Sequence, residues 1–278
     1  MTGPTMFDAR VVAPETTCLP SYLPIPGYGV LPINAFVING AEPILVDTGL
    51  AALRDPFMTA LERVVDLANL RWIWISHTDA DHLGNLTSIL ERAPRARVVS
   101  NFVGMAKMML LGHDVSRVHM LETGQRLSAG DRTLVPFRPP VYDAPETMGF
   151  VDTRTRVLFS ADAFGALLSD AVESVSAVPS AELRAGMGAW AAIDAPWLGN
   201  LERSGFARNL ARIERLNPSA IISGHLPQAN GMNGTLLRNL AETQASGPTD
   251  GPDRSWPNRP EKPTRSRTEA GSLRIADW

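Results

Sequence analysis

The chain has 278 residues, 44% of them hydrophobic and 20% charged, with a formal net charge of -3 and an isoelectric point near 6.0, enough apolar content to bury one large core or two modest ones, with one main domain expected. Its basic residues form no stripe, which gives no electrostatic reason for a nucleic-acid partner, and no apolar run approaches the length of a membrane span. Cys18 is the only cysteine, so an intrachain disulfide and a thiolate metal cage are excluded; with an N-terminus that lacks a charged segment followed by an apolar one, a cytoplasmic protein working on small molecules or with protein partners is expected.

In chain order, Asn34–Ile38 and Pro43–Val46 are two short apolar runs around Asn39-Gly40, the pattern of a hairpin. Asp47-Thr48-Gly49 closes the second run, where Asp47 suits either a turn or helix cap or a carboxylate supporting a metal loop. Leu53 to Leu70 carries apolar residues at helical spacing and leads into the run Trp72-Ile73-Trp74-Ile75, so strand, helix, strand forms a βαβ unit. Helices are expected over 86–91 and 106–112, strands over 95–100, 133–137, 149–151 and 156–159. Between residues 166 and 200 the pattern loosens into helices covering a site. A helix over 201–216, a strand from Ala220 and a last helix over 231–246 complete a main domain of residues 29–246, with a lead-in over 1–28 and a flexible tail over 247–278.

The chemistry is concentrated in Ser76-His77-Thr78-Asp79-Ala80-Asp81-His82, directly after the buried run. Imidazoles and carboxylates this close on a post-strand loop converge on one or two cations and suit Zn, Fe or Mn. The plainer alternative is a cap for the next helix by Asp81 or Asn85. Asp162 follows another buried run in a small-residue loop and reads as a bridging ligand or as a helix cap. His225 follows Ala220-Ile221-Ile222-Ser223-Gly224 in the same strand-to-loop setting and reads as a ligand. His113 and His119 read as surface or core residues. Trp190 and Trp197 read as core, with no site role assigned.

At His77-Thr78-Asp79-Ala80-Asp81-His82 the chain resembles the metallo-β-lactamase superfamily, whose signature is H-x-H-x-D-H, with Asp79 in place of the second histidine. Together with Pro145-Glu146-Thr147-Met148 and Leu158-Phe159-Ser160-Ala161-Asp162-Ala163-Phe164-Gly165, it is similar to the di-iron domain of flavodiiron proteins and to stand-alone oxygen-binding di-iron relatives, over about residues 34–227. The resemblance implies an α/β fold, an αββα sandwich of two mixed sheets with helices on the outer faces. It further implies His77, Asp79, Asp81, Asp162 and His225 as metal ligands, Asp162 bridging, with Asp143 where that branch has histidine and Asp79 where it has glutamate. His82 matches the motif but generally binds no metal in that branch, whereas in the zinc hydrolases it does. Asp47 is expected behind the metal loop.

Asp79, Asp81, Asp143 and Asp162 carry four negative charges, which balance two divalent cations, and the oxygen-rich donor set favours Fe or Mn over Zn. Three functions follow. The first is a non-haem di-iron protein that binds or reduces O2 or NO, with electrons from an external redox partner because the chain shows no flavin-binding segment. The second is a metal-dependent hydrolase of an ester, lactone or thioester, in which Asp81 and His82 take catalytic parts and His82 joins the metal. The third is a metal-poor scaffold, which the missing histidine at 143 keeps in play. A ligating His82 would favour hydrolysis and one turned away the di-iron branch. Oligomeric state stays open, a homodimer being the arrangement the resemblance implies.

Overall fold

The computed structural model describes residues 3–245; the tail expected over 247–278 lies outside them. The larger sheet contains β1 (Thr5–Met6), β2 (Arg10–Ala13), β3 (Thr16–Ile25), β4 (Gly29–Ile38), β5 (Ile44–Val46), β6 (Trp72–Trp74), β7 (Arg97–Ser100) and β8 (Val118–Met120), in the order β1-β3-β4-β5-β6-β7-β8 with β2 also on β3. The pairs from β3 to β5 are antiparallel and those from β5 to β8 parallel. The smaller sheet, ordered β13-β12-β11-β10-β9, is built from β9 (Leu127–Ala129), β10 (Arg132–Phe137), β11 (Gly149–Asp152), β12 (Val157–Phe159) and β13 (Ala220–Ile222). Its one parallel pair is β12 with β13. The described residues also form seven α-helices, α1 (Arg54–Val64), α2 (Ala80–Leu83), α3 (Leu86–Arg92), α4 (Phe102–Leu110), α5 (Ser180–Asp194), α6 (Arg203–Leu216) and α7 (Asn233–Ala245), and three single turns of 3-10 helix.

Strand pleating explains why short, wholly apolar strands occupy the centre. Side chains alternate between faces, so Ile44 and Val46 of β5 and Trp72 and Trp74 of β6 join Phe150, Phe159 and Ile222 in the layer between the sheets. Leu45 and Ile73 face the other way, onto Phe57 and Leu61 of α1 and Ile89 of α3. In the smaller sheet, Leu158 and Ile221 point outward to Met187 of α5, Leu210 of α6 and Leu240 of α7. A strand covered on both faces has no polar side to show, so it reads as a continuous run. The result is the expected αββα sandwich.

Three local differences have physical causes. Residues 5–25, expected as a lead-in, form β1, β2 and β3, and β3 pairs with β4 from Thr16–Ile38 through Ile25–Gly29. The helix expected to reach Leu70 stops at Val64, where Val65 turns extended. Asp66 then accepts from the Ala68 amide and the Asn69 side chain, so Leu67 and Leu70 enter the same core from a turn that preserves the helical spacing of apolar residues. β8 and β9, three residues each, carried no strand expectation because their alternation is too short to register.

Candidate metal centre

The parallel pairs β5–β6 and β12–β13 bring four strand ends to one side of the sandwich, and the loops after them carry Asp47, His77 to His82, Asp162 and His225. Asn34 on β4 ties the edge together: its amide nitrogen donates to the carbonyls of Ser223 and Leu226, and its backbone N–H to that of Gly224. Asp47, Ala161 and Phe164 have positive φ values of 57°, 49° and 68°, a backbone state costly for residues with a Cβ and concentrated at sites of function.

Asp162 is at the middle of the cluster. Its Oδ2 lies 3.3 Å from His77 Nε2 and 3.2 Å from His225 Nε2, and its Oδ1 3.4 Å from His82 Nε2. On one side, His77, Asp79 and Asp143 bring ligand atoms within 4.8 Å of one another; on the other, Asp81, His82 and His225 do the same. Asp143 Oδ1 is 4.0 Å from His77 Nε2, so the aspartate at the departing position faces the cluster. Asp81 Oδ2 lies 3.4 Å from His82 Nε2 and 3.5 Å from His225 Nε2. Asp79 and Asp143 are the solvent-exposed members and mark the open edge of the site.

The capping alternatives are not what these side chains do. Asn85 precedes α3 without a side-chain cap hydrogen bond, Asp81 lies inside α2, and Asp162 is followed by loop rather than helix.

Behind the cluster, Asp47 contacts both His82 and Ser76 of the loop. Its Oδ2 is 2.9 Å from His82 Nδ1 and accepts from Ser76 Oγ at 2.8 Å, and its Oδ1 accepts from the Ser76 amide at 2.8 Å. Ser76 Oγ is also 3.0 Å from His77 Nδ1, and His225 Nδ1 is 2.7 Å from the Pro32 carbonyl. Each imidazole therefore has Nδ1 occupied on the protein side and Nε2 turned inward, the arrangement that orients histidine toward a metal. His82 shares it and is turned into the site.

Three atoms test whether a metal fits. His77 Nε2, His82 Nε2 and Asp162 Oδ1 are sealed from solvent and have no hydrogen-bond partner, and such groups need one. Electrostatics agrees. Burial opposes charge on His82, yet Asp81, Asp162 and Asp47 hold it well above its ordinary value; His225, equally buried, is raised to about 9 by Asp162 and Asp81. Burial likewise opposes charge on Asp81 and Asp162, yet the neighbouring histidines hold both below the carboxylate range. Burial raises Asp79, His77 opposing and Asp143 adding to the rise. Such a cluster suits bound positive charge, which a pair of cations would supply with the imidazoles as neutral donors.

Sequence reasoning missed several neighbours. Trp190 packs on the His225 ring at 4.6 Å and its Nε1 donates to the Asp162 carbonyl at 3.3 Å. Glu146 accepts from Thr78 Oγ1 and Lys107 Nζ, both at 2.7 Å, clamping the loop that carries Asp143 to the loop that carries Asp79. Asp194, the last residue of α5, lies with Asp143 and Asp162 in a third group. Burial first, then the Asp162 and Asp143 carboxylates, push it up to about 8. His113 and His119 belong to none of these groups; His119 packs edge-on against Trp72 instead. Trp197 donates to the Tyr142 carbonyl and packs at a tilt against its ring, in the wall of a cavity of about 550 Å3 beside Asp143.

Fold and site together define a metallo-β-lactamase-like domain with buried His/Asp clusters suited to two metals, of the kind found in flavodiiron proteins. A family model described as "ODP family beta lactamase" matches residues 31–225, and the chain belongs to that family. The type A flavoprotein fprA of Rhodobacter capsulatus is 34% identical over 141 residues, 49% of this chain and 32% of that protein. Diflavin flavoprotein A 1 of Synechocystis is 30% identical over 141 residues, 50% of this chain and 25% of that one. The matched stretches thus span a third or less of these relatives' own length. Among solved structures, the rubredoxin oxygen:oxidoreductase of Desulfovibrio gigas superposes with a TM-score of 0.75 at 19% identity, covering 87% of this chain and 63% of that one. A flavo di-iron protein variant from Thermotoga maritima gives 0.76 at 16% identity, covering 90% and 64%.

Proposed function

We propose that this chain is a non-haem di-iron domain that binds or reduces O2 or NO with electrons from a separate redox donor. The carrying observation is Asp162, a buried carboxylate set between two His/Asp groups with one oxygen left unpartnered. His77, Asp79 and Asp143 would hold one ion, Asp81 and His225 the other, with Asp162 shared between them. When bound, two adjacent iron ions supply one-electron redox chemistry at each position, which suits a two-electron reduction of a diatomic molecule. Four carboxylates in this ligand set favour Fe or Mn over Zn.

The protein's own part is orientation and access. Asp47 and the Pro32 carbonyl hold His82 and His225 by Nδ1, while Trp190 covers His225 and leaves the Asp79–Asp143 edge as the way in for a small molecule. The test is elemental analysis of protein made in iron-supplemented medium, with an anaerobic optical spectrum before and after oxygen and uptake of O2 and NO measured with a chemical reductant. Near two irons per chain, ferric absorption appearing with oxygen, and turnover of either gas are expected. Zinc as the tightly held metal, or no metal, overturns the reading.

A second reading, metal-dependent hydrolysis, draws on one observation: His82 Nε2 is turned into the cluster, 3.4 Å from both Asp81 and Asp162. In that case the protein purifies with zinc and cleaves an activated ester, lactone or thioester, and His82→Ala removes both the activity and one metal. Under the di-iron reading, His82→Ala leaves two irons bound.

A further inference from the structure

Beyond the ligands set out above, one acidic side chain aimed at the centre has no role. Asp194 ends the 15-residue helix α5, and no basic residue occupies the helix's last turn. The carboxylate therefore sits at the negative end of the helix dipole, where an anion is disfavoured. Its Oδ2 is sealed from solvent and has no hydrogen-bond partner. Ligand atoms of Asp143, Asp162 and Asp194 lie within 4.8 Å of one another, and among the described residues no lysine or arginine pairs with any of the three. Carboxyl groups brought so close, one of them at the wrong end of a helix, cannot all ionise without destabilising the fold, and a cation held between them removes that cost.

A second set of observations shows that the group is directed at a ligand rather than merely crowded. Asp162 is 3% exposed and its Oδ1, 3.4 Å from His82 Nε2, is unpartnered; His77 is 1% exposed and its unpartnered Nε2 lies 3.3 Å from the other oxygen, Oδ2. These atoms face the same space. The position built by His77, Asp79 and Asp143 has only one imidazole, and two of those three residues are solvent-exposed. It is the more open of the two positions, and Asp194 meets its Asp143 member, together with Asp162, from the opposite layer of the sandwich.

We propose that Asp194 is a further metal ligand, joining Asp143 and Asp162 on the oxygen-donor side of the position that His77 helps to form. The proposal rests on the two-metal reading above. It makes α5 part of the metal centre, so that metal binding fastens the helical layer to the strand-end loops. It also raises the carboxylates facing the pair from four to five, which favours the higher oxidation states of a bound metal.

The experiment compares wild type with Asp194→Asn and Asp194→Leu, titrating each anaerobically with Fe(II), and separately with Mn(II), against a competing chelator. Melting temperature is recorded with and without metal. Wild type is expected to bind two ions, and both variants to hold one of them at least about tenfold more weakly. Chelator-treated variants should melt at or above the wild-type temperature, because a buried, unpartnered carboxylate has been removed, while the rise in melting temperature on adding metal shrinks. A purely structural Asp194 would give the opposite first result, a lower melting temperature without metal. Two ions bound by both variants with wild-type affinity overturn the ligand role and leave the two-metal reading intact. A wild type that binds fewer than two ions at saturation overturns both.

Discussion

Asp47 illustrates how much of this centre depends on single side chains outside the proposed ligand set. One carboxylate holds His82 by Nδ1 and fixes Ser76 twice, and Ser76 in turn meets His77. It does so from a left-handed backbone conformation at φ 57°, which asparagine tolerates better than most residues. Asp47→Asn should therefore fold normally yet bind metal about 10–100-fold more weakly, as chelator competition would measure. Glu146 supports the same centre from the side. Burial raises its pKa, but Lys107 and Thr78 prevail and hold it below the ordinary 4.5. A depressed folded value means the contribution is complete above pH 4.5 and fades as pH falls through the lowered value. Because the Lys107 side chain is 41% exposed, the ion pair itself is worth little. Glu146→Gln should cost about 1 kcal/mol at pH 7, mostly through the weakened bond from Thr78. Urea titrations should show that cost shrinking toward pH 3.

At the scale of elements, the centre requires α5 to lie close against the loop after Asp162. Gly186 makes this approach: a Cβ there would meet the Leu167 carbonyl oxygen at 2.1 Å, and a backbone atom cannot rotate away. Gly186→Ala should push the helix outward, cost about 1–3 kcal/mol and move Trp190 and Asp194 away from His225 and Asp162. The expected readouts are a lower melting temperature and weaker metal retention together. Gly165 reports on the same contact, since a Cβ there would meet the Trp190 ring at 2.6 Å and the His225 Cβ at 2.8 Å. None of this closeness is encoded locally. The stretch from residue 166 to 200 shows only loosened helical periodicity, and nothing in Ala191-Ala192-Ile193-Asp194 distinguishes an aspartate facing a cluster of carboxylates from one at the end of a surface helix.

For the whole molecule, the N-terminal strands are part of the sandwich. β3 pairs along its full ten residues with β4; Leu19 is buried in the core shared with α1 and α3, and Tyr22 in the core shared with α5, α6 and α7. β4 in turn carries Asn34 and Pro32, which hold the His225 loop. Deleting residues 1–25 should therefore abolish cooperative unfolding, followed by circular dichroism, rather than trim a dispensable arm. Among the described residues no helix is long and apolar enough to cross a membrane.

The sequence by itself determined the strand-to-ligand logic of this protein. A buried run ending in His77-Thr78-Asp79-Ala80-Asp81-His82 marks a site because strands deliver their ends to one edge and short polar side chains there have few other uses. Asp162 and His225 were legible for the same reason, each at the end of its own apolar strand, and the family motif extended the reading to Asp143. Tertiary structure alone decided which atoms face which. It turned His82 inward through Asp47, brought Asp143 to His77, and set Trp190, Glu146 and Asp194 against the centre from elements far away in sequence. Local spacing constrains a side chain to one face of its own strand or helix. Which layer then closes over that face is settled by packing between elements, and the chain order does not record it.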